Sequence, residues 1–356
     1  KKVLVIGAST GFGLASRIAA AFGSGAATIG VSFEKLATDK KTATPGWYNT
    51  AAFEMAAGKE GLYASSFNGD AFSDEIKQQT IARIKEDLGQ VDLIIYSIAS
   101  PRRTDPKTGI THGSVLKPTK VAYKNKTIDI TSGEISDVTI EPATEEEVQN
   151  TVKVMGGEDW KLWIEALGQA DVLAEGALTI AYSYIGPDLT FPIYRDGSIG
   201  RAKEDLEATA HEMTKQYAEK GLQAYISVNK ALVTQASSAI PVVPLYISIL
   251  FKIMKEKGIH EGCIEQMVRM YKEKVYVEQI ELDEAGRVRV DDWEMRADVQ
   301  AEVDSLWNLL SEENLNDFTD LDEYRKDFNQ LFGFGLEGVD YEADVEINVL
   351  IPSIKE

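Results

Sequence analysis

VLVIGASTGFGLASRIA, residues 3–19, places three glycines directly after a short apolar run and at the start of a stretch with helical spacing. Glycines at a strand-to-helix turn permit a tight bend and let the backbone approach a pyrophosphate, which the helix N-terminus attracts. Gly7, Gly11 and Gly13 therefore predict a dinucleotide-binding unit. Without this strand and helix context, the same glycines would indicate only tight packing.

After this unit, short runs rich in β-branched residues alternate with longer segments that have helical spacing. The predicted strands are 2–7, 27–33, 61–67, 91–100, 177–186 and 222–228, and the predicted helices between them are 11–19, 47–59, 74–88 and 198–220. Strands separated by helices favour parallel pairing with helices on both faces. The sequence therefore predicts an α/β fold, a Rossmann-type doubly wound parallel sheet, within a single domain covering residues 1–356.

Three regions interrupt this rhythm and are interpreted as elaborations of the core. Residues 101–165 contain a predicted hairpin around Ser132 and Gly133, followed by a helix that opens with a Thr144 to Glu147 capping box. Residues 236–260 form an apolar, proline-bounded segment expected to cover the substrate. The remainder, 261–356, includes a second predicted hairpin at 277–293.

Composition excludes several classes of function. The net charge of −20 argues against a nucleic-acid partner, since phosphate binding needs clustered Lys and Arg. The longest apolar run, 239–251, is broken by Pro241 and Pro244 and is too short to suggest a membrane span. One cysteine, Cys263, and no apolar leader at the start favour a cytoplasmic protein. The three histidines are scattered, and no metal site is expected.

Acidic and small residues follow the predicted strands where a nucleotide would bind. Glu34 lies 21 residues after Gly13, near the offset at which an acid bonds the adenosine ribose. A carboxylate there favours NADH over NADPH, although Lys35 next to it could accommodate a phosphate and Glu34 could be a solvated strand-end charge. Asp70 would face the adenine edge, while Ile98 and Ala99 would line the cofactor.

The remaining sequence feature that could indicate a catalytic site is a tyrosine and lysine pair. Reductases with this glycine turn commonly hold Tyr and Lys four residues apart, but none of the 14 tyrosines has Lys at +4 or +7. At +9 the pairs are Tyr194 with Lys203 and Tyr246 with Lys255. Nine residues along one helix amount to about 900° and ~13 Å, which places two side chains on opposite faces. Tyr246 and Lys255 lie on one predicted helix.

The other pair has a helix start between its members. Gly197 permits a turn and Ser198 is a predicted N-cap, so Tyr194 would precede the helix and Lys203 would lie in its first turns. Lys203 would bond the nicotinamide ribose, and its charge would help the Tyr194 phenol act as an acid near neutrality. From these residues alone, an exposed tyrosine near a solvated lysine is an equally good interpretation.

Motifs along nearly the whole chain resemble those of one family. GASTGFGLASRI, NGDAFSDEIK, AYSYIGP, YRDGSIGRAK and VTQASSAIPVVPLYIS are similar to the type V trans-2-enoyl-CoA and enoyl-ACP reductases, monomeric NADH-dependent relatives of the short-chain dehydrogenases. Family members usually carry a few dozen residues ahead of the first strand, and no matched site residue falls there. The cofactor contacts expected from the motifs and the resemblance are Gly7, Ala8, Ser9, Thr10, Gly11, Phe12, Gly13, Phe33, Glu34, Asp70, Ala71, Ile98, Ala99, Lys203, Leu232, Val233 and Thr234.

The resemblance implies reduction of the C2=C3 bond of a trans-2-enoyl thioester by NADH. Tyr194 would donate the proton with Lys203 beside it, and Tyr184 would contact substrate as a possible second donor. The thioester could be carried by CoA or by ACP, for which Arg102, Arg103 and Lys107 are the obvious basic cluster. A short-chain-dehydrogenase-like carbonyl reductase and a non-catalytic NADH-binding protein are the alternatives.

Overall fold

The computed structural model describes residues 1–354 and contains a parallel sheet of seven strands. These are β1 (Lys2–Ile6), β2 (Ala27–Ser32), β3 (Ala64–Asn68), β4 (Val91–Tyr96), β5 (Leu173–Ser183), β6 (Gln223–Val228) and β7 (Val288–Arg289). Their spatial order is β7-β6-β5-β4-β1-β2-β3, and all neighbouring pairs are parallel. This order confirms the predicted doubly wound α/β fold.

Helices cover both faces of the sheet and extend beyond one end of it. The α-helices in the described part of the chain are α1 (Gly11–Ser24), α2 (Pro45–Lys59), α3 (Asp74–Arg83), α4 (Glu145–Met155), α5 (Glu158–Gln169), α6 (Ser198–Gln216), α7 (Gln235–Ser238), α8 (Val243–Glu256), α9 (Cys263–Arg269), α10 (Ala297–Leu309), α11 (Leu315–Phe318) and α12 (Leu321–Gln330). Two short π-helices, Ile84–Leu88 and Met270–Val275, continue α3 and α9.

The first turn is held by contacts between backbones. Gly7 has φ +88°, and a Cβ added to it would lie 2.0 Å from the Ser97 carbonyl oxygen. A Cβ on Gly13 would lie 1.8 Å from the carbonyl oxygen of Gly7. Only glycine fits at either position. Consequently β1, the start of α1 and the end of β4 meet at one point on the carboxyl edge of the sheet.

Helix α5 lies within the region that interrupts the sequence rhythm, but it packs on the sheet. Trp160, Trp163 and Ile164 on this helix are fully buried in the core beside β4 and β5, and the Trp160 indole donates to Thr179 Oγ1 on β5 at 2.8 Å. Helix α4 and two antiparallel hairpins, the first of which pairs Arg102–Thr104 with Thr111–Gly113, lie before it. The hairpin Tyr123–Ile128 with Ile135–Ile140 and the Thr144 to Glu147 capping box both form as predicted.

The predicted hairpin at 277–293 is wrong. Val288 and Arg289 pair in parallel with Ser227 and Val228 at the edge of the main sheet, and residues 277–287 contain no strand. The Asp283 carboxylate holds a tight turn through the N–H groups of Ala285 and Arg287. The alternation of apolar and charged residues was typical of a strand, but its partner is β6 rather than a neighbour in sequence.

A second helical layer packs around α8. This helix is almost completely buried and contacts α10 and α12. Tyr246 and Lys255 both lie on it, as predicted. Lys255 pairs with Asp320 at 2.8 Å on the outer side, while Tyr246 is fully buried. Within residues 1–354, every helix is too short or too polar to cross a bilayer.

Residues 347–353 form a strap that returns from α12 to α2. The Trp47 indole donates to the Val349 carbonyl at 2.7 Å, and the Tyr48 hydroxyl donates to the Ile347 carbonyl at 2.8 Å. Ser353 donates through its N–H and hydroxyl to the Glu54 carboxylate at 2.9 and 2.7 Å. About three hundred residues therefore separate the partners that close this side of the molecule.

The crowding at Gly7 gives a test of the fold. Gly7→Ala should lower the free energy of unfolding by about 3 kcal/mol or more, because the new methyl group meets a backbone carbonyl at a positive φ. Gly23→Ala is the matched control, since a Cβ on this α1 glycine meets nothing within 4 Å, and it should stabilise the protein by about 0.5–1 kcal/mol. Urea unfolding of both variants measures this, and equal effects would contradict the packing described above.

Candidate active site

Two connected cavities lie at the carboxyl edge of the sheet, where open α/β sheets bind ligands. The nucleotide cavity, about 530 Å³, runs over the β1 to α1 turn and the ends of β2 and β3. The reaction cavity, about 240 Å³, lies beyond β4 beneath α6 and α7. The residues that line both are Phe12, Ser97, Ile98, Ala99, Thr234 and Ala236. A ligand in one cavity would thus extend into the other.

The N-terminus of α1 faces the nucleotide cavity. Thr10 is the N-cap residue, but its side chain does not cap the helix, and the first turn contains no acidic residue. The free N–H groups and the positive end of the helix dipole are therefore available to an anion. Gly7, Ser9, Thr10, Gly11 and Phe12 line this cavity, as predicted for a pyrophosphate cradle. These residues fit a dinucleotide.

Glu34 is held rigidly at the end of β2. Its carboxylate accepts hydrogen bonds from the hydroxyls of Ser9 and Thr44. Asn68 bonds its backbone on both sides, accepting from the N–H at 2.7 Å and donating to the carbonyl at 2.9 Å. A Cβ on Gly46 would lie 2.1 Å from Glu34 Oε1. The carboxylate is thus aimed at the nucleotide cavity, where ribose hydroxyls could replace one of its partners.

Sequence reasoning did not identify Thr44, Gly46 or Asn68. Thr44 and Gly46 belong to the threonine and Pro-Gly start of α2, which marks a helix N-terminus but does not show which strand it approaches. Asn68 ends β3, and a polar residue at a strand end is a recognisable but weak signal. Their common function depends on contacts between different elements.

Most of the remaining predicted cofactor residues line at least one of the two cavities, but three of them do not. Phe33, Asp70, Ala71, Ile98, Ala99 and Thr234 line the nucleotide cavity, and Leu232 lines the reaction cavity. Phe33 is 75% exposed. Ala8, Gly13 and Val233 line neither cavity: Ala8 and Val233 are packed in the core, and Gly13 lies beneath the turn. The last three therefore shape the site rather than face it.

Tyr194 and Lys203 both line the reaction cavity. Tyr194 lies in the tight turn before α6, and Lys203 lies within the first turns of this helix. The predicted N-cap is wrong: Gly197 caps the helix, while Ser198 is its first residue and bonds Val115 and Lys117 through its hydroxyl. Gly197 has φ −93°, but a Cβ on it would lie 2.4 Å from the Ile193 carbonyl. Close packing, and not an unusual φ, requires glycine here.

Burial dominates the electrostatics of this pair. Desolvation and the nearby charge of Glu294 raise the pKa of Tyr194 above its usual value. The sequence prediction that Lys203 would lower the Tyr194 pKa is therefore not met in the ligand-free protein. Burial also lowers the pKa of Lys203 to about 8, and Glu207 partly opposes this. The phenol is neutral at pH 7, and the lysine Nζ donates to the Tyr182 carbonyl at 3.0 Å.

Tyr184 lies against Tyr194 in the reaction cavity. Their ring centroids are 4.8 Å apart with an interplanar angle of 80°, an edge-to-face contact. The Tyr184 hydroxyl donates to Glu294 Oε1 at 3.1 Å. Two further lining residues, Ser183 and Asn229, each have a buried polar atom without a protein partner in the described chain. Neither residue nor Glu294 was identified from the sequence.

Comparisons with known proteins agree with this geometry. Three family models match: an NAD(P)H binding domain of trans-2-enoyl-CoA reductase at residues 1–39, a trans-2-enoyl-CoA reductase catalytic region at 41–276, and an enoyl reductase FAD binding domain at 282–345. The chain belongs to the trans-2-enoyl-CoA reductase family. The catalytic-region model alone spans both residues of the Tyr194 and Lys203 pair.

Individual members are similar over nearly the whole chain. An enoyl-[acyl-carrier-protein] reductase [NADH] of Flavobacterium johnsoniae is 63% identical, covering 100% of this chain and 90% of the relative. One from Coxiella burnetii is also 63% identical, covering 99% and 88%. The crystal structure of Treponema denticola trans-2-enoyl-CoA reductase in complex with NAD has a TM-score of 0.94 at 55% identity, covering 97% of this chain and 86% of that one.

The description of the third family model names FAD, and residues 282–345 do not fit this cofactor. A flavin dinucleotide needs a cradle of backbone N–H groups or free cations for its pyrophosphate. The four arginines of this segment, all within the described chain, are each paired with carboxylates. Neither the nucleotide nor the reaction cavity is lined by any residue of the segment. We therefore derive no chemistry from a flavin.

The contact between Gly46 and Glu34 gives a test of the nucleotide cavity. Gly46→Ala should raise the Kd for NADH about tenfold, because the methyl group would displace the Glu34 carboxylate, which is expected to bond the ribose. Gly58→Ala, on the same helix with nothing within 4 Å of the new Cβ, is the control and should leave the Kd unchanged. Fluorescence titration with NADH measures both. Unaltered affinity in Gly46→Ala would show that Glu34 does not hold the ribose.

The lowered pKa of Lys203 predicts a pH dependence of cofactor binding. Lys203 is cationic below pH about 8 and loses its charge above it, so the KM for NADH should rise as pH increases through this value. Lys203→Arg keeps its charge and should bind NADH more weakly but without this alkaline limb. Lys230 lines the same cavity with a pKa also lowered to about 8. An unchanged alkaline limb in Lys203→Arg would assign the effect to Lys230 instead.

Proposed function

We propose that this protein catalyses the NADH-dependent reduction of trans-2-enoyl thioesters to acyl thioesters. The observation that carries the proposal is the Tyr194 phenol, which lies in an apolar cavity that opens onto the nucleotide cavity and contains Lys203. The relatives described above are named as reductases of enoyl-acyl carrier protein and of trans-2-enoyl-CoA, which supports this reaction. Hydride would be added at C3 of the substrate.

NADH would supply the hydride, and the chain supplies its binding site. The N-terminus of α1 would hold the pyrophosphate, Glu34 the adenosine ribose and Lys203 the nicotinamide ribose. Ile98, Ala99 and Thr234 line both cavities and would border the nicotinamide. Lys203 has the carbonyl of Tyr182 as its hydrogen-bond partner, so two of its three N–H donors are available for ribose oxygens.

Tyr194 would stabilise the negative charge that collects on the thioester oxygen. Its hydroxyl has no side-chain hydrogen-bond partner among the described residues, and the residue lines the cavity. Because burial raises its pKa, the phenol keeps its proton throughout the physiological range and can donate to the enolate oxygen. The enolate would then take up a proton from water at C2, and the thioester carbonyl would re-form. A neutral donor in a cavity of low polarity suits a transition state in which anionic charge develops.

The rest of the reaction cavity would receive the acyl chain. Its apolar lining around Tyr194 comes from three helices and two loops and includes Leu116, Met155, Ile199, Leu206, Ile240 and Val243. Such side chains bury an acyl group and exclude water from the reacting bond. Ser237 lines the cavity at the C-terminal part of α7, which supports the predicted covering function of residues 236–260.

The proposed reaction is the same whether CoA or acyl carrier protein carries the thioester. The basic cluster considered for a carrier protein does not form as a surface patch, since Arg103 is 1% exposed and bonds Glu158 and the Lys153 carbonyl. Arg102 and Lys107 remain exposed. A monomeric state and a cytoplasmic location remain predictions from the resemblance and from the composition.

Replacing the phenol hydroxyl tests the proposed proton donor. Tyr194→Phe should lower kcat for crotonyl-CoA by about 10²- to 10⁴-fold, with a much smaller change in the Kd for NADH. Tyr225→Phe on β6, away from both cavities, is the control and should retain wild-type kcat. The measurement is NADH oxidation at 340 nm. Near-normal reduction by Tyr194→Phe would overturn the assignment.

The same assay separates the proposal from its alternatives. An enoyl reductase oxidises NADH only when an enoyl thioester is added, and the product is the saturated acyl thioester. A carbonyl reductase would instead oxidise NADH with ketones and leave crotonyl-CoA intact. A non-catalytic protein would bind NADH without oxidising it under either condition. Comparison of crotonyl-CoA with a crotonyl carrier protein would then establish the preferred carrier.

A further inference from the structure

Glu294 is a fully buried carboxylate beside the reaction cavity, in the loop between β7 and α10. Its Oε1 accepts from the Tyr184 hydroxyl at 3.1 Å and from the Tyr246 hydroxyl at 2.7 Å, and its Oε2 accepts from the Ala231 N–H at 2.7 Å. Three separate elements therefore meet on one side chain. They are the end of β5, the helix α8 and the turn that follows β6.

The partners of Glu294 favour its ionised form. The Ala231 N–H can only donate, and Tyr246 already accepts from Gln300 Nε2 at 3.2 Å. Lys230 supplies positive charge nearby: it is 2% exposed, and among the described residues no carboxylate lies within ion-pair distance of its Nζ. Burial has the largest effect and raises the pKa of Glu294 overall, although the charge of Lys230 and the hydrogen bonds from Tyr246 and Ala231 oppose the rise. The geometry is that of a carboxylate surrounded by donors.

This arrangement determines what Tyr184 can offer a substrate. A phenol has one O–H proton, and Tyr184 donates it to Glu294. Its oxygen then presents only lone pairs, which repel the oxygen of a thioester carbonyl. Tyr194 differs, because its hydroxyl proton has no partner in the described chain. The two phenols therefore have opposite hydrogen-bonding character, although their rings are in contact.

We propose that Glu294 is a positioning residue that keeps the Tyr184 hydroxyl oriented as an acceptor, so that the thioester oxygen is directed to Tyr194. This inference rests on the proposed enoyl thioester reduction. It replaces the expectation that Tyr184 is a second proton donor. Glu294 itself does not line the reaction cavity, so it acts through Tyr184 and does not touch the substrate.

The test is a double-mutant cycle measured on the NADH-loaded enzyme with crotonyl-CoA. Glu294→Gln and Tyr184→Phe should each lower kcat about tenfold, and the double variant should lower it by no more than about twofold further, because both changes remove the same orientation. A merely structural function for Glu294 would give independent effects, about a hundredfold in the double variant. Independent effects would overturn the proposal.

A second comparison does not depend on the folding of Glu294→Gln. If Tyr184 is an acceptor, Tyr184→Phe should retain at least about ten times the kcat of Tyr194→Phe; equal losses would show that both phenols donate. Tyr324→Phe is the matched control, since this buried phenol donates to Ser238 at 3.0 Å, its one hydroxyl partner within residues 1–354, and lies outside the cavity. It should lower thermal stability and leave kcat within twofold. A wild-type enzyme inactive on crotonyl-CoA would refute the proposed function itself, which these outcomes do not.

Discussion

The close approach of three backbone segments at Gly7, Gly13 and Ser97 is the contact on which the remaining structure depends. A single methyl group at either glycine would separate β1 from the end of β4 or lift α1 from its strand. Because these backbones touch, the N-terminus of α1 points at the nucleotide cavity. The residues after β4 then form the boundary between the two cavities. The same backbone contact therefore positions both the nucleotide cavity and the reaction cavity.

The turn that carries Tyr194 is also held by close contacts between backbone segments. A Cβ on Gly200 would lie 1.9 Å from the Arg195 carbonyl, so the turn carrying Tyr194 folds directly onto the start of α6. This packing buries both members of the Tyr194 and Lys203 pair. Burial has opposite effects on the two groups, stabilising the neutral phenol and weakening the charge of the lysine. The reaction cavity therefore contains a neutral phenol donor, Tyr194, beside a lysine, Lys203, whose positive charge is lost more easily than usual.

The sequence predicted those parts of the molecule that depend on local patterns. The periodicity of the strands and helices predicted the parallel sheet, and the glycine turn predicted the position of the nucleotide cavity. Tyr194 and Lys203 were found because a helix start separates them. The errors concern partners distant in sequence: Val288 and Arg289 pair with β6, and Arg103 is buried against α4 and α5. Glu294 was missed for the same reason, since its partners lie 48 to 110 residues away.

The strap at residues 347–353 has a consequence for how the molecule assembles during translation. It closes on Trp47, Tyr48 and Glu54 of α2, the helix whose first turn supports the Glu34 carboxylate. Residues up to Ser353 must therefore be synthesised before this helix has all of its outer partners. The first glycine turn has its closest partners within residues 1–97, whereas α2 depends on partners about three hundred residues further along the chain.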